Sequence, residues 1–377
     1  MDKSSPILIT GSGGFVGRNL CETLKTAGCT ELLCFEKGDT PETLAEYCRR
    51  ARFVIHLAGI NRPQDPAEFY TGNAGLTETL LAGLEAAHST APVLVTSSTQ
   101  AALDNDYGKS KREAEDAIFA HGEKTGSPVY VFRMEGVFGK WCRPNYNSVV
   151  ATFCYNTANG LPLQVRDPGY ELPLVYIDDV VQCLLDALDG RVLQDRSLRP
   201  ICHIHPVHTV TLGFLADTIR GFAAARGTLA APYLAEGSIE KKLYSTYLSY
   251  LPAAQFSYPL TMHADARGSF TEILRTPERG QLSVNVIRPG VVKGNHWHNS
   301  KNEKYLVVAG TCTTRLRRVD SSEVTAIVTS GEKMEIIDIP PGYTHNIENT
   351  GAADAAVVMW VNEPFDPARP DTIPLKV

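Results

Sequence analysis

The sequence predicts two folds in series, a doubly wound parallel α/β sheet followed by an all-β barrel. Short β-branched runs at Ile7–Thr10, Leu32–Phe35, Phe53–Leu57, Val93–Thr96 and Val129–Arg133 alternate with segments whose apolar residues recur at helical spacing. Strands regularly separated by helices form βαβ units and therefore a parallel sheet. Beyond Tyr258 the texture changes to alternating strands with turns, as in Ser283–Gly290 and Lys304–Gly310, and helical spacing nearly vanishes. The length of 377 residues fits two or three domains of ~150 residues, each able to bury a core. The expected division is 1–245 and 246–377, with the Tyr-, Ser- and Pro-rich stretch Lys241–Pro259 as junction.

Each element has a local reason. Val16, Leu20 and Leu24 define one helical face after the first strand, and Gly28 stops that helix. Apolar content is 43%, so disorder is not expected. With 36 basic against 42 acidic side chains and a net charge of -6, the chain lacks the electrostatic footprint of a nucleic-acid or membrane-surface binder. No apolar run approaches the roughly 18 residues that span a bilayer. Met1–Pro6 leads into the first strand with no room for a signal peptide, so a cytoplasmic protein is expected. Nine cysteines without C-x-x-C spacing read as buried thiols rather than disulfides or a zinc knuckle.

The first chemical site is the loop Thr10-Gly11-Ser12-Gly13-Gly14-Phe15-Val16-Gly17, placed between a strand and a helix. Gly11 permits the tight turn, Gly14 lets a pyrophosphate approach backbone N–H groups and Gly17 allows close helix packing, with the helix N-terminus facing the anion. This is a dinucleotide site. Glu36, at the end of the second strand, would bind a ribose and favour NAD, whereas Lys37 beside it would neutralise the 2′-phosphate of NADP. Two solvated charges at a strand end are the bland alternative.

The second site is Tyr107-Gly108-Lys109-Ser110-Lys111. Residues four apart on a helix share a face, so the Lys111 ammonium is expected to lower the Tyr107 pKa from near ~10 and make the phenol a general acid or base. The G-x-x-G-x-x-G spacing and this Y-x-x-x-K resemble the extended short-chain dehydrogenase/reductases. That resemblance implies a strand-end hydroxyl that polarises a substrate carbonyl, here assigned to Ser98 with Ser97 and Thr99 open. It also implies cofactor contacts at Leu57, Ala58, Gly59 and Asn73, and substrate contacts near Arg133, Lys140 and Asn145. The segment from Ser98 to Tyr107 is shorter than in most relatives. Thr99-Gln100 replaces the Asp-Glu pair of sugar-nucleotide dehydratases, which lowers that reading.

The third site is Gly290-Val291-Val292-Lys293-Gly294-Asn295-His296-Trp297-His298, continuing through Glu303 to Gly310. It reproduces the first cupin motif, G-x5-H-x-H-x4-E-x6-G, and Pro340-Pro341-Gly342-Tyr343-Thr344-His345-Asn346-Ile347-Glu348-Asn349 gives the second. His296, His298, Glu303 and His345 form a donor set suited to Zn, Ni, Mn or Fe. His203-Ile204-His205-Pro206-Val207-His208 has no carboxylate at motif spacing and reads as structural. Asp265-Ala266-Arg267-Gly268-Ser269-Phe270-Thr271-Glu272 resembles the D-x-R-G-x-F-x-E opening of cupin-type nucleotide-sugar epimerases, where Arg267 and Glu272 would hold ligand. A salt bridge at a strand start is the alternative.

A short-chain reductase fused to a cupin, with Gly139–Val149, Leu243–Pro252 and Gly294–Glu303, resembles a family of bifunctional bacterial enzymes of capsular and O-antigen polysaccharide synthesis. The resemblance implies that the cupin epimerises C3 of a UDP-linked 2-acetamido-2,6-dideoxy-4-hexulose. The reductase would then reduce the C4 ketone with NADPH to UDP-N-acetyl-6-deoxy-L-talosamine. It further implies zinc in the cupin and a homodimer. A mono-functional reductase with a structural cupin and a redox-dependent sugar-binding regulator are the alternatives. The Ser98, Tyr107 and Lys111 set speaks against the regulator, because a sensor does not need to transfer protons.

Overall fold

The computed structural model describes residues 3–63, 65, 67–195, 197–276 and 278–377; Met1 and Asp2 of the leader segment discussed above lie outside the described residues. The first half runs β1 (Ile7–Thr10), α1 (Phe15–Thr26), β2 (Leu32–Phe35), α2 (Pro41–Arg50), β3 (Phe53–His56) and α3 (Ala67–Phe69). After a π-type turn come α4 (Leu76–Ala86), β4 (Val93–Ser98), a 3₁₀ turn at Thr99–Ala102, α5 (Asp106–Thr125) and β5 (Val129–Met134). The five expected strands therefore form, within two residues of their expected ends.

β1 and β3 are buried along their whole length because both faces of the sheet are covered. Ile7 and Ile9 point to one face, packing with Leu20 and Leu24 of α1. Leu8 points to the other, with Leu44 of α2, Leu80 of α4 and Ile118 of α5. Each such buried side chain stabilises the fold by roughly 1.5–3 kcal/mol. The parallel sheet has the order β2-β1-β3-β4-β5, and its direction of winding reverses between β1 and β3. In open α/β sheets ligands bind in the crevice at such a reversal, beyond the carboxyl ends of the strands. The Gly11–Gly17 loop, Leu57–Gly59 and Ser98 all leave strands at that end.

The chain continues through β6 (Gly136–Phe138), α6 (Val149–Ala158), β7 (Glu171–Tyr176), α7 (Ile177–Leu188), β8 (Ile201–Cys202), β9 (His208–Thr211), α8 (Leu212–Thr228) and α9 (Ile239–Leu248). β8 extends the main sheet beside β5, and β6, β7 and β9 form a small mixed sheet. The Tyr- and Ser-rich stretch expected to be a junction is largely α9. Ser238 caps that helix by accepting from the Lys241 amide at 3.2 Å, and Ile239, Leu243 and Tyr247 form its buried face. Because α9 packs on α6, the first unit reaches Pro252; it comprises residues up to Arg220 with Leu234–Pro252, and the second comprises Gly221–Tyr233 with Ala253–Val377.

The second unit holds β10 (Met262–Asp265), β11 (Gly268–Thr276), β12 (Gly280–Ile287), β13 (Val292–Trp297), β14 (Glu303–Ala309) and β15 (Thr311–Arg318). It closes with β16 (Val324–Ser330), β17 (Ile336–Ile339), β18 (Tyr343–Asn349), β19 (Ala355–Val361) and β20 (Ile373–Pro374). Two antiparallel sheets, β10-β11-β12-β19-β14-β17 and β16-β15-β18-β13-β20, enclose Ile287, Tyr305, Val307, Leu316, Ile347 and Val357. The α/β sheet and the all-β cupin architecture are thus both present. Among the described residues no helix is long and apolar enough to cross a membrane.

Candidate active site and candidate metal centre

In the first unit the glycine loop is shaped by close backbone approach. Gly11 has φ +72°, and a Cβ there would lie 2.8 Å from Ala58 Cα; one on Gly17 would lie 2.2 Å from the Gly11 carbonyl oxygen. The loops after β1 and β3 therefore touch, which places Leu57, Ala58 and Gly59 beside the loop. Gly14 caps α1, and no acidic residue in its first turn opposes an anion. Phe15 and Val16 pack partly on the core below. The Glu36 carboxylate is turned into the loop, accepting from Ser12 Oγ and the Gly13 amide, while Lys37 is exposed. Asn73 is buried and fully engaged: its Oδ1 accepts from Ile60 N at 2.9 Å, and its Nδ2 donates to Ile60 O and Ser110 Oγ. It ties the loop after β3 to α5.

Ser98 ends β4, and the 3₁₀ turn closes the short path to α5, whose N-cap Asn105 accepts from Gly108 N at 2.7 Å. This turn sets the Ser98 hydroxyl beside the Tyr107 phenol, whose pKa it lowers. Tyr107 also donates to Asn61 Oδ1 at 3.0 Å, and its ring tilts against Phe69. Lys111 is buried and donates to Thr96 O at 2.9 Å. Burial pushes its pKa down to about 8, against a smaller upward pull from Glu115. The expected effect on Tyr107 is not found. Burial raises the phenol above its ordinary value, Ser98 pulls it down, and Lys111 is not among its influences because the ammonium turns toward Thr96. Lys111 instead adds to the burial that pushes His56 down to about 3.

Ser97 is separated from this pair. It donates to the buried Glu115 at 2.5 Å, and Arg133 holds the same carboxylate with two bonds of 2.9 and 2.6 Å. Arg133 is therefore engaged in an internal ion pair, and Thr99 reaches only Met134 O at 3.5 Å. Lys140 pairs with Asp178, and the Asn145 amide donates to Thr152 Oγ1 at 3.0 Å.

In the second unit, antiparallel pairing sets His296 of β13 opposite His345 of β18. A bulge at Asn295 reorients the strand, and Gly294, at φ +101°, leaves no room for a Cβ, which would lie 2.8 Å from the His345 carbonyl oxygen. His298 follows β13 and Glu303 opens β14. The candidate donor atoms of His296, His298, Glu303 and His345 lie within 4.8 Å of one another. His345 Nε2 stands 3.0 Å and His298 Nε2 3.8 Å from Glu303 oxygens. Neither nitrogen, though buried, makes an aligned hydrogen bond. Imidazole nitrogens and a carboxylate converging in this way, with their lone pairs unspent, fit a divalent cation. Tyr305 donates to Glu303 Oε2 at 2.8 Å, and His298 Nδ1 donates to the Asp371 main-chain carbonyl, leaving Nε2 for the cluster. Burial, then the neighbouring His345 charge, pushes His296 down to about 4. Burial opposes ionisation of Glu303, but the nearby His298 and His345 rings and the Tyr305 hydroxyl outweigh it and hold the carboxyl well below the usual range.

Comparison with known proteins agrees with both halves. Residues 7–195 match the NAD dependent epimerase/dehydratase family, and residues 263–373 match the polysaccharide biosynthesis C-terminal domain. The chain is 44% identical over 366 residues, 97% of each chain, to the UDP-2-acetamido-2,6-beta-L-arabino-hexul-4-ose reductase of Pseudomonas aeruginosa. The crystal structure of the capsular polysaccharide assembling protein CapF of Staphylococcus aureus superposes with a TM-score of 0.92 at 45% identity, covering 98% of this chain and 100% of that one. This chain belongs to the CapF family. A second relative is the spore coat polysaccharide biosynthesis protein SpsL of Bacillus subtilis, 26% identical over 122 residues, a match that covers 30% of this chain and 81% of SpsL.

The CapF-family cupin holds a cavity of about 410 Å³ lined by His263, Asp265, Arg267, Phe270, Asn285 and Lys293, among others. Arg267 lies on it, paired with Asp265 at 2.6 Å. Glu272 does not line it and is engaged by Arg275 at 2.5 and 2.6 Å, so Arg267 and Glu272 each sit in a local ion pair. Sequence reasoning missed Asn61, Glu115, Tyr305 and Asp371. Asn61 and Tyr305 lie within a few residues of motif positions and were accessible to a wider reading. Glu115 is four residues after Lys111 on the same helix face, while Asp371 carries no local signal.

Proposed function

We propose that this CapF-family protein is a cytoplasmic, homodimeric, bifunctional enzyme acting on a UDP-linked 2-acetamido-2,6-dideoxy-4-hexulose. Its cupin epimerises C3 and its first unit reduces the C4 ketone, giving UDP-N-acetyl-6-deoxy-L-talosamine for capsular or O-antigen polysaccharide. The observation that carries the reductase assignment is the placement of Tyr107, which donates at 3.0 Å to Asn61 in the loop after β3, the loop whose Ala58 backbone touches Gly11 of the glycine loop.

NADPH, when bound, supplies the hydride. The backbone N–H groups around Gly14 at the start of α1 would hold its pyrophosphate, in a loop whose shape Gly11 and Gly17 permit, and Lys37 is assigned to the 2′-phosphate. Ser98 donates a hydrogen bond to the C4 oxygen, and Tyr107 gives its proton to that oxygen as negative charge develops there. A phenol with a raised pKa holds this proton firmly until the oxygen becomes the stronger base. Lys111, still largely charged at neutral pH with a pKa of about 8, places a positive charge beneath the site.

In the cupin, His296, His298, Glu303 and His345 would hold zinc or another divalent ion, which as a Lewis acid favours negative charge on a bound oxygen. The C4 ketone acidifies the C3 proton, so a base removes it to an enolate and reprotonation on the opposite face inverts C3. Reduction of C4 afterwards takes away the acidifying ketone and traps the product.

Four protein donors also make the closed ligand set of structural sites, which favours a second reading, a mono-functional reductase with a structural cupin. The test uses the full chain, the UDP-4-hexulose and deuterated water without NADPH. Deuterium at C3 supports the bifunctional reading. Unexchanged C3, with metal bound and ketone reduction intact once NADPH is added, supports the second.

A further inference from the structure

Of the two histidines of the cupin's first motif, His296 lies in β13 and His298 just past its end, and the C-terminal tail runs along that strand. β20 pairs with β13, setting Pro374 opposite His296 and Ile373 opposite Trp297. Leu375 N donates to Asn295 O at 3.0 Å, Thr344 Oγ1 donates to Leu375 O, and Arg317 Nη2 donates to Lys376 O at 2.8 Å.

The tail is tied most densely at Asp371. Its main-chain carbonyl accepts the Nδ1 proton of His298. Its carboxylate accepts from the amides of Asn299 (2.9 Å), Ser300 (2.9 Å) and Lys301 (3.0 Å) and from the side chains of Asn299 (2.9 Å) and Ser300 (3.2 Å). These three residues are the turn between His298 and Glu303. The Lys301 ammonium, buried with its side chain 4% exposed, donates to Pro370 O at 2.5 Å and so fixes the residue preceding Asp371. Asp371 itself sits at φ +38°, in the sparsely populated left-handed region. Five donors on one carboxylate, a buried ammonium on the next carbonyl and a left-handed backbone all serve one geometric result: a carbonyl held against one ring nitrogen of one histidine.

We infer that Asp371 is a positioning residue for the cupin's metal ligands, and that the C-terminal tail acts as a clasp that sets the affinity of the site. The inference rests on the reading of the His296, His298, Glu303 and His345 cluster as a metal centre. An Nδ1–H directed at a main-chain carbonyl fixes the tautomer in which Nε2 carries the lone pair, and hydrogen-bonding partners of this kind are worth roughly 10–100-fold in metal affinity. The carboxylate acts one step further out. It holds the 299–301 turn so that His298 and Glu303 stand at a fixed separation, and it anchors the backbone whose carbonyl meets the ring.

The test is zinc affinity of the full-length, zinc-stripped protein, measured by competition with a chromophoric chelator, beside the melting temperature of the zinc-free form. Asp371→Ala should weaken zinc binding about 10–100-fold, and Asp371→Asn, which keeps one acceptor oxygen, should recover much of the loss. Asp366→Ala, in the same tail but without a bond to the ligand turn, should bind as wild type does. A role confined to stability lowers the melting temperature of the zinc-free form while leaving affinity within twofold, and that result overturns the inference. If Asp371→Ala does not fold, Asp371→Asn alone decides: several-fold weaker binding supports the clasp and unchanged binding overturns it. A wild-type protein that binds no zinc removes the metal reading, and the clasp with it; zinc-binding wild type with equally tight Asp371→Ala removes the clasp alone.

Discussion

The Tyr107 site and the His345 site are assembled by different means. In the first unit the hydroxyls assigned to the reaction come from neighbouring elements: Ser98 closes β4, a 3₁₀ turn follows, and Tyr107 opens α5. Helix spacing then buries Lys111 beneath them. In the second unit the donors arrive from β13, β14 and β18, and only antiparallel register brings His296 opposite His345. The supporting groups differ correspondingly. Glu115, on the same helix as Tyr107, ties down Ser97 and Arg133, whereas Asp371 reaches His298 from the far end of the chain. A site built from sequential elements carries its support nearby. One built by strand register is exposed to changes anywhere along the strands that set it.

The largest effect that sharpens this contrast is expected at Tyr107. Tyr107→Phe removes the transferable proton and the bond to Asn61 without touching the glycine loop. Ketone reduction should fall by roughly 10²–10⁴-fold while NADPH affinity, read by fluorescence titration, stays near wild type. Near-normal turnover would falsify the assignment of the proton to this phenol. At the other site His298→Ala should abolish stoichiometric metal by elemental analysis and lower the melting temperature of the metal-loaded protein, since ligand binding is linked to folding. Ketone reduction supplied with already epimerised substrate should survive; its loss would mean the two sites are not built independently.

Most of this was legible locally. β1 to β5 were readable because fully buried parallel strands are continuous apolar runs, and the helices between them have clear apolar stripes. The clustering of His296, His298, Glu303 and His345 was readable because the cupin spacing reproduces strand geometry. The errors share one cause, side chains whose partners lie elsewhere. Tyr and Ser between Lys241 and Leu248 look like linker residues, yet Tyr247 is buried and the segment is helical, with the change of unit at Pro252 falling inside the expected Lys241–Pro259 junction. Spacing places Lys111 under Tyr107, but it cannot say that Thr96 O is the better acceptor for the ammonium. Asp371 offered nothing to read, because a lone aspartate near a C-terminus gains meaning only once β20 is laid along β13.

A middle-sized effect follows from Lys111. Its pKa is pushed down to about 8, so between pH 8 and its unfolded value near ~10.5 the unfolded chain binds the additional proton. Stability from this group therefore rises as pH increases through that window, and below about pH 8 the buried charge is a standing cost. Lys111→Met should accordingly raise stability at pH 7 by about 1–2 kcal/mol after allowing for the unpaired Thr96 carbonyl, and abolish reduction. The gain should shrink as pH is raised. Melts from pH 6 to 9 check it, and a variant that melts below wild type at pH 7 shows that the hydrogen bond to Thr96 outweighs burial.

The smallest expected effect concerns the nicotinamide cofactor, where two adjacent charges pull in opposite directions. Glu36 is turned inward on Ser12 and Gly13, so its carboxylate stands against the loop that approaches the dinucleotide; Lys37 is exposed and free to swing. A 2′-phosphate would be attracted by one and repelled by the other, whereas a ribose diol would be accepted by Glu36 alone. If Lys37 meets the phosphate, NADPH should be preferred and Lys37→Ala should narrow the preference by roughly tenfold, chiefly through KM, the scale of one exposed charge-assisted hydrogen bond. Glu36→Ala should move the ratio the opposite way, strengthening NADPH and weakening NADH, because it removes the repulsion and the diol acceptor together. Measuring KM and kcat for both cofactors in the three proteins separates the cases. Equal use of NADH and NADPH by the wild type, with Glu36→Ala impairing NADH alone, would make Glu36 the ribose ligand and set Lys37 aside as a solvated charge at a strand end.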